Sequence, residues 1–286
     1  MRVTDLHETK AGKAIISFEL SRPKNEKAAA NLEKAIAVMK AAGPDYVSVT
    51  FGAGGSTRDG SIELIDKLKN EQGFDVVAYI ACVGMAPDEL TTTLAAFEKL
   101  GVKTVFAIRG DAPTWDESYR PHPEALPHAS DLLALIKERY DFCLGAAGYP
   151  EGHLEAESKE QDLEVLKLKI QSGADYVVAQ YFYDNQTFFD FLDRARAAEV
   201  TVPIHAHLLG QADGKPGQNL RRYRHRKAAC RARRAPAGRQ GRGGALRHRF
   251  RHSTVPWPPR TRRRRPPLLH HESWKIGGCR SEDPQR

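Results

Sequence analysis

The stretch DVVAYIACVGMAPDELTTTLAAFEKLGVKTVFAIRG, residues 75–110, decides the fold. It opens on a short run of β-branched and apolar residues, DVVAYIAC, and closes on another, TVFAIRG. Between the two, Leu90, Leu94 and Phe97 recur at helical spacing, Asp88 or a neighbour can cap the start, and Gly101 supplies a stop. Runs without polar alternation read as strands buried on both faces. Two such strands joined by a helical crossover pair in parallel.

Outward from this unit, the same texture recurs roughly every 30 residues, the length of a βαβ repeat. Strand candidates fall at 13–20, 46–51, 75–82, 104–110, 142–149, 176–184 and 200–204. Helical segments lie between them: NLEKAIAVMKAAG, with Leu32, Ile36 and Met39 on one stripe and Gly43 at its end, then HASDLLALIKERY, DLEVLKLKIQSG and QTFFDFLDRARAAE. The fold class is α/β with a parallel sheet. Successive units with no second domain favour a (β/α)8 barrel of the TIM type over a doubly wound sheet. The expected organisation is an incomplete barrel over residues 1–204, truncated after strand seven, followed by an unrelated tail over 205–286.

Charge divides the chain at the same place. Residues 205–286 hold 19 Arg and 3 Lys against 4 acidic residues, whereas residues 1–204 hold 22 basic and 32 acidic ones. A folded acidic body with a basic tail is the plain reading, and the tail's charge alone suits nucleic acid or an anionic surface. Cys82, Cys143, Cys230 and Cys279 have neither metal-ligand nor disulfide-framework spacing, which fits a reducing compartment. The start, MRVTDLHETKAGK, has no apolar signal region, and no apolar run approaches membrane-spanning length. A cytoplasmic location without membrane contact is expected.

Polar residues gather where strand candidates end. Glu19 closes the first, Thr50 the second, Arg109, Gly110 and Asp111 the fourth; Tyr149, Glu151 and His153 follow the fifth, and Gln180 sits in the sixth. Singly, each has a plain reading. GAGG lacks the Gly-Lys-Ser/Thr of a phosphate loop, RGD is a common surface tripeptide, and a lone loop histidine is unremarkable. Together they occupy one end of a parallel sheet, the end where barrel enzymes do their chemistry.

The motifs ISFELSRPK, VSVTFGAGGSTRD, AIRGD, AGYPEGH and GADYVVAQYFYD, in this order over about residues 13–204, resemble the methylenetetrahydrofolate reductase family. The resemblance implies a (β/α)8 barrel that carries FAD, takes reducing equivalents from NADH or NADPH, and reduces methylenetetrahydrofolate to methyltetrahydrofolate. It implies Glu19 as general acid to the folate nitrogen, Asp111 beside flavin and pterin, and Gln180 at the shared folate and nicotinamide pocket. Thr50 falls on the nicotinamide and flavin side. Arg109, Gly110, Ala129, Tyr149, His153, Ala156, Asp162 and Lys169 fall on positions lining FAD, Arg109 and Lys169 suiting its pyrophosphate and Asp162 a ribose hydroxyl. An acid that must hold its proton near neutral pH is helped by apolar surroundings, here expected from Phe18 and Leu20. A homo-oligomer is what the family suggests. Two positions depart: Tyr79 stands where many members have histidine, and SRPK replaces a Phe-Phe-Pro-Pro run after the glutamate.

After Ile204 the resemblance stops. The family's last strand reads about Leu-His-Phe-Tyr-Thr-Met-Asn, and PPLLHHES, residues 266–273, permits those seven codons when read from the second base of Pro266. The same shift applied to HAHL, residues 205–208, permits Met-Pro-Ile. The tail is therefore read as a frameshift near residue 204, and a copy so broken as potentially inactive. The alternative is a basic-tailed nucleic-acid-binding protein on a degenerate barrel. Against it, the tail neither repeats an RGG motif nor interleaves aromatics consistently.

Overall fold

A computed structural model describes residues 1–11, 13–23, 25–51, 58–112 and 118–207. From residue 208 onward the expected tail, including the shifted segment at 266–273, lies outside the described residues.

Seven β–strand and α–helix repeats follow in chain order. They are α1 (Val3–Thr9), β1 (Ser17–Leu20), α2 (Glu26–Ala42), β2 (Tyr46–Val49) and α3 (Arg58–Asp66), which runs into a π-helical turn at Lys67–Glu71. Next come β3 (Val76–Ala81), α4 (Pro87–Lys99), β4 (Thr104–Ile108), α5 (Ala129–Arg139) and β5 (Cys143–Gly148). The series ends with α6 (Lys159–Gln171), β6 (Tyr176–Ala179), α7 (Asn185–Ala197) and β7 (Ile204–His205). The first six strand expectations are met with shorter bounds, while the seventh, expected at 200–204, meets β7 only at Ile204. The last is shortest because Pro203, inside VTVPI, has no N–H for a ladder. Helices α1 and α3 were not anticipated.

Local chemistry explains the helix ends. Asn25 and Ser158 accept from the third backbone N–H of α2 and α6. Gly43 ends α2 in the left-handed conformation, at φ 59°. For α4 the start is Ala86 and Pro87 rather than Asp88, and Glu89 reaches back to the Ala86 N–H at 2.9 Å.

The strands pair in parallel in sequential order, β1 to β7, and the sheet curls in the manner of a TIM barrel. Its curl carries β7 back to the first strands: His205 Nδ1 lies 3.2 Å from the Tyr46 hydroxyl on β2. Outside the sheet, Val47, Val49, Ala78, Ile80, Val105 and Leu144 pack with Leu90, Leu94, Phe97, Leu132 and Ile136 of the helices. Inside it, Tyr46, Val77, Phe106, Cys143 and Tyr176 form a second cluster, plugged from the strand N-terminal end by Val3 and Leu6 of α1. One inward row crosses four strands as Tyr79, Phe106, Gly145 and Tyr176. Gly145 must lack a side chain, since a Cβ there would meet Phe106 and Tyr176 at 2.5 Å. Among the described residues, no helix is long and apolar enough to cross a membrane.

Candidate active site

Parallel pairing in sequential order sends every strand's C-terminal end to the same rim, so residues expected at the site share that rim for topological reasons. They separate into two groups.

The first is cationic and lies beyond β4 and β5. Arg109 follows β4 and forms a two-pronged pair with Glu155, Nη1 to Oε2 at 2.6 Å and Nη2 to Oε1 at 2.9 Å. Its Nε points to the Gly110 carbonyl at 3.4 Å. The pair with Glu155 raises the guanidinium pKa further, and Asp111 adds to the same field. Gly110 has φ 82°, and a Cβ there would meet Ala81 Cβ at 2.9 Å, so only glycine fits this turn. Tyr149 and His153 meet edge to face at 4.7 Å, and Lys169 Nζ stands 5.2 Å from the centre of the Tyr149 ring.

Lys169 is buried on α6 and donates to the Ala147 carbonyl at 2.9 Å. Burial pulls its amine down to about 8, with Asp162, also buried, opposing the shift. His153 is likewise lowered by burial, with Glu155 working against it. Ala156 donates its N–H to the His153 carbonyl, and Ala129 opens α5 as a buried residue without polar side-chain atoms. Arg109, Gly110, Asp111, Tyr149, His153, Asp162 and Lys169 are thus brought together. Glu155, which the sequence reading passed over, completes this group; its only signal was its position two residues after His153.

The second group surrounds Glu19. Tyr79 on β3 donates its hydroxyl to Glu19 Oε2 at 2.7 Å. His207 Nε2 approaches the same oxygen at 3.9 Å, and the His207 ring packs on Tyr181 at 4.2 Å. Burial lowers His207 and raises Tyr181, while the carboxylate pushes both upward. Gln180 uses its side-chain carbonyl to accept from the Tyr181 N–H at 2.9 Å. The expected apolar wrapping of Glu19 by Phe18 and Leu20 is not found. Strand residues alternate faces, so both of those pack on the outer core while Glu19 turns inward among hydroxyl and imidazole groups, its side chain 26 % exposed. Thr50 ends up beside the close of β1, its N–H donating to the Leu20 carbonyl and its hydroxyl to the Ser21 hydroxyl, each at 2.9 Å.

The two groups suit an anionic cofactor beside a proton donor. Arg109, Lys169 and His153 offer N–H donors, and Asp162 a carboxylate for a hydroxyl. A guanidinium carries five N–H donors, so its Glu155 and Gly110 contacts do not exhaust it.

Comparison with known proteins fits this geometry. The family model described as Methylenetetrahydrofolate reductase matches residues 3–216, reaching past Ile204. The 5,10-methylenetetrahydrofolate reductase of Escherichia coli is 34% identical over 209 residues, covering 73% of this chain and 69% of that protein. Methylenetetrahydrofolate reductase 1 of Schizosaccharomyces pombe is 32% identical over 209 residues, covering 71% of this chain and 34% of its own length. This chain therefore spans about a third of the fungal relative and about two thirds of the bacterial one. Among solved structures, an uncharacterized protein from Clostridium thermocellum that binds two copies of 5-methyl-5,6,7,8-tetrahydrofolic acid superposes with TM-score 0.50 at 18% identity, over 71% of this chain and 68% of that one. At that identity the likeness concerns the fold alone.

Proposed function

The chain belongs to the methylenetetrahydrofolate reductase family, and on that premise we propose that it reduces 5,10-methylenetetrahydrofolate to 5-methyltetrahydrofolate, with FAD as cofactor and NADH or NADPH as reductant. The observation that carries this reading is the pairing on one rim of a cationic cradle, built on Arg109 and Lys169, with the carboxyl of Glu19.

In this reading Arg109 and Lys169 hold the pyrophosphate, Asp162 a ribose hydroxyl, and Gly110 lets the cofactor approach the backbone. Ala129, Tyr149, His153 and Ala156 line the same cradle, Thr50 the nicotinamide side. Bound FAD would supply hydride chemistry, which no side chain of the barrel can. Glu19 gives its proton to the folate nitrogen of the bridging C–N bond, so that the bond opens to an electrophilic iminium on the substrate. Asp111 and Gln180 orient the pterin by hydrogen bonds.

Residues 205–286 enter this reading as out-of-frame translation, with the intact reductase encoded in the shifted frame. Sequencing the coding DNA across codons 195–286 tests that: a corrected frame through Leu-His-Phe-Tyr-Thr-Met-Asn supports it, and an unaltered frame removes it. For the activity, the protein with its frame restored should carry a flavin absorbance spectrum and turn over methylenetetrahydrofolate with NADH or NADPH. A colourless frame-restored protein without either activity would overturn the reading. Salt-sensitive RNA or DNA binding by the protein as written, without bound flavin, would favour the basic-tail alternative.

A further inference from the structure

We infer that Tyr79 is a positioning residue for Glu19, holding its carboxyl toward the rim and stabilising the carboxylate left behind when the proton departs. This rests on the reductase reading above for its chemical purpose, though not for the contact itself.

Four observations carry it. The Tyr79 hydroxyl donates to Glu19 Oε2 at 2.7 Å, a short, charge-assisted geometry. The ring that bears the hydroxyl is fixed, stacked on Phe106 at 4.5 Å and set in β3 within a five-residue register with β4. Between them, the buried Ser48 of β2 lies beside Glu19 in the β1–β2 register and beside Val77 in the β2–β3 register, so Glu19 and Tyr79 project to the same inner face from strands set two apart. Lastly, burial and the Glu19 charge hold the phenol well above its ordinary range, so Tyr79 keeps its proton and remains a donor.

Among the described residues, the other titratable groups facing Glu19 are Tyr181 and His207. His207, at 3.9 Å, is beyond hydrogen-bond distance. Tyr79, Ser48 and Glu19 all lie within residues 1–204, so the frame of the coding DNA does not affect them. During the reaction the proton moves from the Glu19 carboxyl to the substrate nitrogen, and the electron pair of its O–H bond stays on the carboxylate. The Tyr79 O–H is neither made nor broken. It bonds more strongly to the product carboxylate than to the neutral acid, and so assists the transfer.

Two measurements test the assignment. In protein labelled with 13Cζ-tyrosine, the Tyr79 signal is identified by its loss in Tyr79→Phe. It should shift when Glu19→Gln removes the charged acceptor, and an unmoved signal overturns the contact whatever the enzyme's activity. In kinetics, Tyr79→Phe should oxidise NAD(P)H with an artificial acceptor at the wild-type rate. Its methylenetetrahydrofolate turnover should fall about 10- to 100-fold, in kcat rather than KM. The same substitution should cost nothing further in a Glu19→Gln background. Undiminished folate turnover in Tyr79→Phe, or an equal loss in both backgrounds, overturns the positioning role. Absence of folate turnover in the frame-restored protein overturns the reductase reading instead, and the carbon signal then decides on Tyr79 alone.

Discussion

Arg109 and Glu155 face each other fork to fork across the loops that follow β4 and β5. The pair is a geometric device as much as an electrostatic one, because both prongs are needed to fix the guanidinium plane. A lysine would keep the charge and lose the plane. Arg109→Lys should therefore weaken FAD binding about tenfold, and Arg109→Ala up to about 100-fold, since hydrogen bonds to charged groups contribute about 1.5–3 kcal/mol each. Flavin fluorescence titration of the apoprotein reads both; equal affinity in the lysine variant would remove the orienting role.

In the proposed reading, Lys169 should make flavin affinity depend on pH. Its buried amine titrates at about 8. Below that value it is charged and attracts phosphate; as pH rises through it, the charge and the attraction are lost. Affinity should fall about tenfold across this window, the worth of one charge-assisted contact, and Lys169→Met should show weaker binding without the slope. Stability of the apoprotein runs the other way. Between about 8 and the ordinary 10.5 the unfolded chain binds more protons than the folded one, so stability rises with pH there. Thermal melting over the same series checks the opposite sign.

Glu19→Gln keeps the side chain's size and its place beside Tyr79 but has no acidic proton to give. Flavin content and NAD(P)H oxidation with an artificial acceptor should be unchanged. Methylenetetrahydrofolate reduction should fall by about 10²- to 10⁴-fold, the usual contribution of a general acid. Normal folate turnover in this variant would show that the proton comes from elsewhere.

Gly145→Ala tests the packing of the barrel interior. The added methyl would sit at 2.5 Å from two rings, one of them the fully buried Tyr176, and neither has room to withdraw. A loss of about 1–3 kcal/mol is expected, visible in the denaturant midpoint. A neutral effect would mean that the rings can repack.

The strands and five of the helices were legible because burial on both faces leaves unbroken apolar runs, and outer helices leave a stripe such as Leu32, Ile36 and Met39. Two helices were not. In α1 the only deeply buried residue is Val3, too little apolar periodicity to read, and its role as a plug exists only once the sheet has curled. Helix α3 begins beside a glycine-rich stretch, which reads as loop. At the site, strand-end positions were legible from topology alone. The surroundings of Glu19 were not: neighbours in sequence point to the opposite face, and its true neighbours come from β3 and from beyond β6 and β7. Contacts of that kind leave no trace in local sequence.

The curl of the sheet also has a consequence for the order in which the molecule forms. Every strand pairs with the next one in the chain, so the sheet can lengthen one unit at a time as the polypeptide emerges from the ribosome. The seam is different. His7 and His205 touch at 2.8 Å across a separation of 198 residues, and such a loop closes only after nearly all of that chain exists. Arg109, Glu155 and Lys169 come from the middle of the series and can assemble before that closure. Glu19 meets His207 only after it. A nascent barrel would thus hold its Arg109, Glu155 and Lys169 cluster before its two ends meet around Glu19.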